Sequence, residues 1–308
     1  MSLAHGIAPG GGPTTDDGAG GAAAAAGGRR RARTAYLLLL LPLTWLLVFF
    51  IVPLFSLVST SLYDPSGSLE TGYAMTGEIG NYAAVLADYR EQLVRSLVYA
   101  GIATLACIAL AYPLAYAIAF KAGRWRNLML VAVIAPFFTS FLIRTLSWQL
   151  ILGDQAWVAD ALRALQLLDA EGRLLSTPFA VVTGLTYNFL PFMVLPLYAS
   201  LEKVDPRLME AGADLYASPW TTFRKVTLPL SLPGLVAGTL LTFIPAAGDY
   251  INAELLGNPG TQMIGNVIQN LFEGGSYPEA AALSVTLMLL ITVMVLFYIR
   301  RAGTEELV

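Results

Sequence analysis

Three charged residues, Arg144, Asp249 and Glu254, stand inside otherwise apolar stretches of this 308-residue chain. A charge at mid-bilayer costs on the order of 2.5–3.5 kcal/mol on insertion scales, so it faces a cavity or a partner. Asp249 follows Pro245 by four residues. That proline frees the carbonyl of Leu241 and permits a bend. At helical spacing Pro245, Asp249 and Asn252 share one face, while Glu254 lies about 140° around the helix from Asp249 and nearer its outer end. Arg144 and Trp148 share a face at i, i+4, and Tyr187 and Asn188 add polarity to another apolar run. Two chemistries fit. In one, Asp249 lines a path through the membrane and attracts an ammonium, with Trp148 or Tyr250 offering a ring face to the cation. In the other, Asp249 pairs with Arg144 and fixes helix packing or a gate, and the aromatics fill space.

Other chemistry is excluded by what the chain lacks. His5 is the only histidine and Cys107 the only cysteine, so a His-based metal site, a Ser-His-Asp triad and an internal disulfide are ruled out. A P-loop needs Gly-Lys-Ser/Thr to cradle phosphates. The three lysines are Lys121, Lys203 and Lys225, and none follows a glycine. No ATP hydrolysis, metal or cofactor is expected in this chain.

The elements that position these residues follow from composition. Hydrophobic residues make up 56%, charged residues 13%, and mean hydropathy is +0.64; soluble domains carry roughly 25% charged residues. A net charge of −3 gives no nucleic-acid surface. Six windows reach the ~20 apolar residues that span a bilayer: 36–60, 96–120, 128–152, 177–201, 231–256 and 280–299. Unalternating runs of this length are helices rather than barrel strands, so the fold expected is an all-α integral membrane bundle. Gly234 and Gly238, four apart, permit close helix contact. Residues 1–34, Gly/Ala-rich and ending in Arg29, Arg30, Arg31 and Arg33, read as a disordered tail, and 303–308 as a second short tail. The membrane domain is 35–302.

Orientation follows the positive-inside rule. With both termini in the cytoplasm, thirteen of the 18 basic residues fall inside and eleven of the 21 acidic residues fall in outer loops.

The long cytoplasmic connection, 202–230, contains two helix starts. Asp205-Pro206 opens a helix expected to run to about Ala217, and Ser218-Pro219 opens another expected to end near Pro229. Leu208 and Leu215 fall on one face of the first, a stripe too short to be stable without a surface to dock on. Glu210 lies early in it, where the helix dipole favours a carboxylate by ~0.3–1 kcal/mol.

The residues Glu210, Ala211, Gly212, Asp214, Leu215, Tyr216, Ala217, Ser218, Pro219 and, further on, Leu228-Pro229 resemble the EAA loop of bacterial ABC importer permeases. Gly212 replaces the second Ala of that pattern, and Tyr216 stands where the family usually has Gly. The resemblance implies a type I importer permease of MetI-like fold, in the cell's inner membrane, whose loop forms a coupling helix docked on a cytoplasmic ATPase. It also implies a second permease subunit, an ATPase dimer that binds ATP and Mg, and an extracytoplasmic solute-binding protein received by the acidic outer loops. The segments Pro136 to Trp148, Phe243 to Gly257 and Met263 to Asn270 are similar to the spermidine/putrescine subfamily. Ferric iron, sulfate and opine permeases are near relatives and remain alternatives. An ion-coupled secondary transporter is the rival from another class, with only Asp249 and Glu254 as coupling carboxylates. A membrane-embedded enzyme would depend on the same few groups.

Overall fold

The computed structural model describes residues 38–68 and 70–302. The expected tails, with the arginine cluster, lie outside the described residues. In chain order the helices are α1 (Leu38–Thr60), α2 (Gly80–Lys121), α3 (Gly123–Phe138), α4 (Phe141–Ile151), α5 (Trp157–Ala164), α6 (Pro178–Leu201), α7 (Pro206–Asp214), α8 (Pro219–Ala247), α9 (Ile251–Leu256), α10 (Ile264–Glu273) and α11 (Tyr277–Ala302). Helices α1, α2, α6, α8 and α11 are each long and apolar enough to cross a membrane. The pair α3–α4 is a sixth candidate, bent by 96°.

That bend divides the span expected over 128–152, whose Pro136 makes a bent helix the natural expectation in lipid. The chain tightens into a 3₁₀ turn at Ala135–Phe138, and Thr139 then goes extended (φ −104°, ψ 149°). Both the amide and the hydroxyl of Thr139 donate to the carbonyl of Pro136, at 3.1 and 2.7 Å, closing α3 before α4 begins. A proline one turn from the end and a threonine that bonds back to it make a stop signal inside an apolar run.

A correction concerns Pro229. The helix opened by Ser218-Pro219 does not end there but continues as α8 to Ala247. A proline ring clashes with the carbonyl four residues earlier, here that of Lys225, and the helix is widened into a π turn at Phe223–Thr227. The wider turn moves the clashing carbonyl away. The same device occurs at Leu47–Ile51, ahead of Pro53 in α1.

The expected fifth span, 231–256, is likewise broken: α8 stops at Ala247 and α9 starts at Ile251. Pro245 does not cause the break, because α8 continues two residues beyond it.

The core of the unit from Val58 onward is built on α6, packed between α2 and α8. Its side chains Val181, Leu185, Met193, Val194, Leu197 and Leu201 are fully buried. Small residues on α2 (Ala100, Ala103, Cys107, Ala111, Ala115) let the backbones approach. On α8, a Cβ at Gly234 would lie 2.5 Å from the Pro196 carbonyl oxygen, and one at Gly238 would lie 2.8 Å from the Met193 sulfur. The glycine pair is a packing surface, as expected from its spacing.

Candidate functional site

The loop between α6 and α8 begins as the sequence indicates. Asp205 Oδ1 accepts from the Arg207 amide at 2.9 Å and Pro206 opens α7. Helix α7 ends at Asp214, three residues before the expected Ala217. The reason is Tyr216, whose φ of 57° is left-handed. The Ala217 amide then donates back to the Gly212 carbonyl at 3.0 Å and the Leu215 amide to that of Ala211 at 3.1 Å. This is the closing bond of a Schellman-type cap, whose left-handed position normally takes glycine. A tyrosine there stores of order 1 kcal/mol of strain.

The other departure from the resemblance also has a physical reason. A Cβ on Gly212 would lie 2.9 Å from Oγ1 and 3.1 Å from Cγ2 of Thr222. Glycine in the second alanine position therefore lets α7 sit closer to the first turns of α8. Ser218 Oγ caps that helix, accepting from the Thr221 amide at 3.2 Å. Pro219 follows at N1, and Leu228-Pro229 lies beyond the π turn.

The faces of this hairpin are apolar and open. Leu215 and Tyr216 are 80% and 98% exposed, and Leu208 and Trp220 are exposed beside them. The carboxylate of Glu210 is exposed and makes no local capping bond among the described residues. From Trp220 a line of rings leads inward. Trp220 stacks on Phe223 (5.4 Å), and Phe223 meets Tyr112 of α2 edge-on (5.2 Å). The Tyr112 hydroxyl shares a 2.6 Å hydrogen bond with Ser231 of α8. At the other end of the loop, Arg126 of α3 donates to the Tyr198 hydroxyl and to the Glu202 carboxylate. These contacts tie both ends of the loop into the bundle. Arg126, Tyr198 and Glu202 were not among the sequence-predicted site residues; nothing in their spacing marks a pair separated by 76 positions.

The polar groups of the spans separate into three places. Asp249, Asn252 and Asn188 come together. Asp249 Oδ1 accepts from the amide of Asn252 at 2.8 Å and from its Nδ2 at 3.1 Å. Asn188 Nδ2 donates to Asn252 Oδ1 and to Thr145 Oγ1, both at 3.1 Å. All four residues are buried. The network joins α4, α6 and α9 through the break after Ala247. Asp249 is therefore not one helical turn beyond Pro245 on a shared face; it caps a new helix start. Thr145 lay unassigned in the expected third span.

Arg144, Trp148 and Tyr187 form the second place, lining a cavity of about 270 Å³ with Thr139, Ile143 and Ser147. The rings of Trp148 and Tyr187 meet edge to face at 5.4 Å. Arg144 does not pair with Asp249. Its guanidinium carbon lies 5.3 Å from the Phe137 ring centre and 5.5 Å from that of Phe141. Glu254 and Tyr250 form the third place. Both are exposed, and Asn266 Nδ2 donates to Glu254 Oε2 at 3.1 Å and to the Tyr250 carbonyl at 3.0 Å.

A short helical loop with an exposed apolar face, a helical bundle and a buried Asp–Asn network are thus in one chain. The family model for "Binding-protein-dependent transport system inner membrane component" matches residues 21–302. The chain belongs to that family. It is the permease component of an ABC importer, a multi-pass inner-membrane subunit rather than the catalytic one. The secondary-transporter and membrane-enzyme readings fall with that assignment.

Among its relatives, the permease is 38% identical over 258 residues to the spermidine/putrescine transport system permease protein PotB of Escherichia coli K12. The match covers 83% of this chain and 93% of the relative. The corresponding protein PotC of the same organism is 36% identical over 107 residues, covering 35% of this chain and 40% of the relative. A crystal structure of a bacterial alginate ABC transporter, in complex with an alginate pentasaccharide-bound periplasmic protein, aligns with TM-score 0.66 at 18% identity. It covers 90% of this chain and 96% of that one, and it shows the type I importer fold.

Proposed function

We propose that this permease is one of two membrane subunits of an ATP-driven polyamine importer, with both termini in the cytoplasm and residues 35–302 as its transport domain. Its likeness to a spermidine/putrescine permease across most of both chains supports the substrate class. The match to two different permeases of one organism supports a heterodimeric pair. An extracytoplasmic binding protein delivers the substrate, and a pair of cytoplasmic ATPase subunits supplies the energy.

The observation that carries the reading is the coupling loop. Helix α7 has nine residues, too few to hold a helix alone. It nonetheless presents Leu208 outward, and Leu215 and Tyr216 just past its end, with Trp220 of α8, are exposed as well. In this reading the ATPase covers that face, Glu210 contacts it, and its movement is passed inward by two routes. One is the ring series Trp220, Phe223 and Tyr112; the other is the Arg126 clamp between α3 and the end of α6.

Substrate ammonium groups meet Asp249. The carboxylate sits at the junction of α8 and α9, where a non-helical Gly248–Tyr250 link lets the two halves move separately. In the conformation described, Asn252 occupies its Oδ1. Alternating access exchanges that partner for the substrate.

Uptake of labelled spermidine and putrescine, with and without this chain and before and after ATP depletion, tests the reading. Loss of uptake in both deprived conditions is the expected result. Persisting polyamine uptake without the chain overturns the substrate, and the same strains are then assayed with ferric iron, sulfate and opines.

A further inference from the structure

Among the described residues the Arg144 side chain is incomplete. The residue is more than nine-tenths buried, and its Nε and Nη1 are sealed from solvent without an acceptor among the described residues. The rings of Phe137 and Phe141 face the guanidinium but accept no strong hydrogen bond. The two hydroxyls beside it are turned to backbone: Thr139 donates to the Pro136 carbonyl at 2.7 Å and Ser147 to that of Ile143 at 2.9 Å. The carboxylates of the spans are engaged elsewhere, Asp249 by Asn252 and Glu254 by Asn266.

A buried guanidinium without an anion is strongly destabilising, and its planar fork matches a carboxylate in two parallel hydrogen bonds. We propose that a carboxylate side chain of the second permease subunit enters the cavity beside α4 and completes Arg144 as an inter-subunit ion pair. Three features favour this occupant. The cavity, about 270 Å³, has room for one acidic side chain. Ile143 and Ile151 of α4, both exposed, line it beside Arg144, so the charge opens onto an apolar face. A polyamine carries the same sign as Arg144 and is repelled. The inference rests on the two-permease reading above.

The test uses the assembled transporter. Arg144→Glu is combined in turn with Asp→Arg or Glu→Arg at each carboxylate of the partner's spans, and uptake and co-purification are measured together. Arg144→Glu lowers uptake by about tenfold or more, one partner reversal does the same alone, and the two together restore most of it. Should Arg144→Glu fail to assemble, Arg144→Met replaces it and each partner carboxylate is neutralised instead. The paired residues then show a non-additive loss of thermal midpoint. Additivity for every combination overturns the proposal. A wild-type midpoint that falls when anionic lipids are replaced by zwitterionic phosphatidylcholine, with Arg144→Met indifferent to the exchange, assigns the site to an anionic lipid headgroup and also overturns it. A wild-type chain that purifies without any second permease overturns the two-permease reading itself, which keeps the two failures apart.

Discussion

Tyr216 holds a backbone conformation that favours glycine and projects a fully exposed ring beside Leu215. The two properties are separable by one substitution. Tyr216→Gly relieves of order 1 kcal/mol of left-handed strain, so protease nicking of the 202–230 loop in the free permease slows. It also deletes an aromatic from the docking face, so less ATPase is retained on co-purification. If cleavage is faster and ATPase retention unchanged, neither role survives. Asp249 admits an equally clean exchange. Both hydrogen bonds it accepts fall on Oδ1, and Asp249→Asn keeps an oxygen able to take that place while removing the charge. The variant is expected to assemble with wild-type thermal stability and to lose polyamine uptake. Normal uptake by that variant removes Asp249 from the substrate path.

At the scale of elements, the proposed coupling requires a loop that is fastened to the bundle. Arg126 links α3 to the end of α6 through Tyr198 and Glu202. Arg126→Gln shortens the side chain and removes the charge, and the expected result is a transporter whose ATPase activity persists while uptake falls severalfold. A proportional fall in both activities would mean that the pair only supports folding. The ion pair is half exposed, so its loss costs no more than about 1 kcal/mol of stability. Pro136 signals a bend in the third span, but neither the clamp nor the size and place of the 96° break is legible in the sequence. Apolar runs mark where a chain enters lipid, and all six expected windows contain helix. Whether a run bends depends on how each proline is accommodated. Pro229 and Pro53 are absorbed by π turns, whereas Pro136 ends its helix because Thr139 bonds back to it. The helix starts of the 202–230 connection were legible because caps and turn residues act locally. Asp205, Ser218 and Pro219 open helices where local rules place them, and only the left-handed Tyr216 shortened the first. The Asp249 network was half legible: its members are rare polar residues in apolar runs, but its geometry depends on a helix break that spacing alone represents as a continuous face.

For the whole molecule, the sidedness of the bundle decides which partner each surface can meet. Lys203 and Glu171 are both exposed, at opposite ends of α6. The positive-inside rule puts Lys203 in the cytoplasm and Glu171 outside. Cys107, the chain's only cysteine, is buried, so Cys107→Ser gives a silent background into which Lys203→Cys or Glu171→Cys is placed. A membrane-impermeant maleimide added to intact, outer-membrane-permeabilised cells is expected to label Glu171→Cys at once and Lys203→Cys only after the inner membrane is opened. Wild-type uptake by both variants ensures that the labelled molecules are the working ones. The reverse pattern would turn α7 and its exposed Leu215 and Tyr216 away from any cytoplasmic ATPase. The coupling mechanism would then have no energy source within reach, whatever substrate the permease carries.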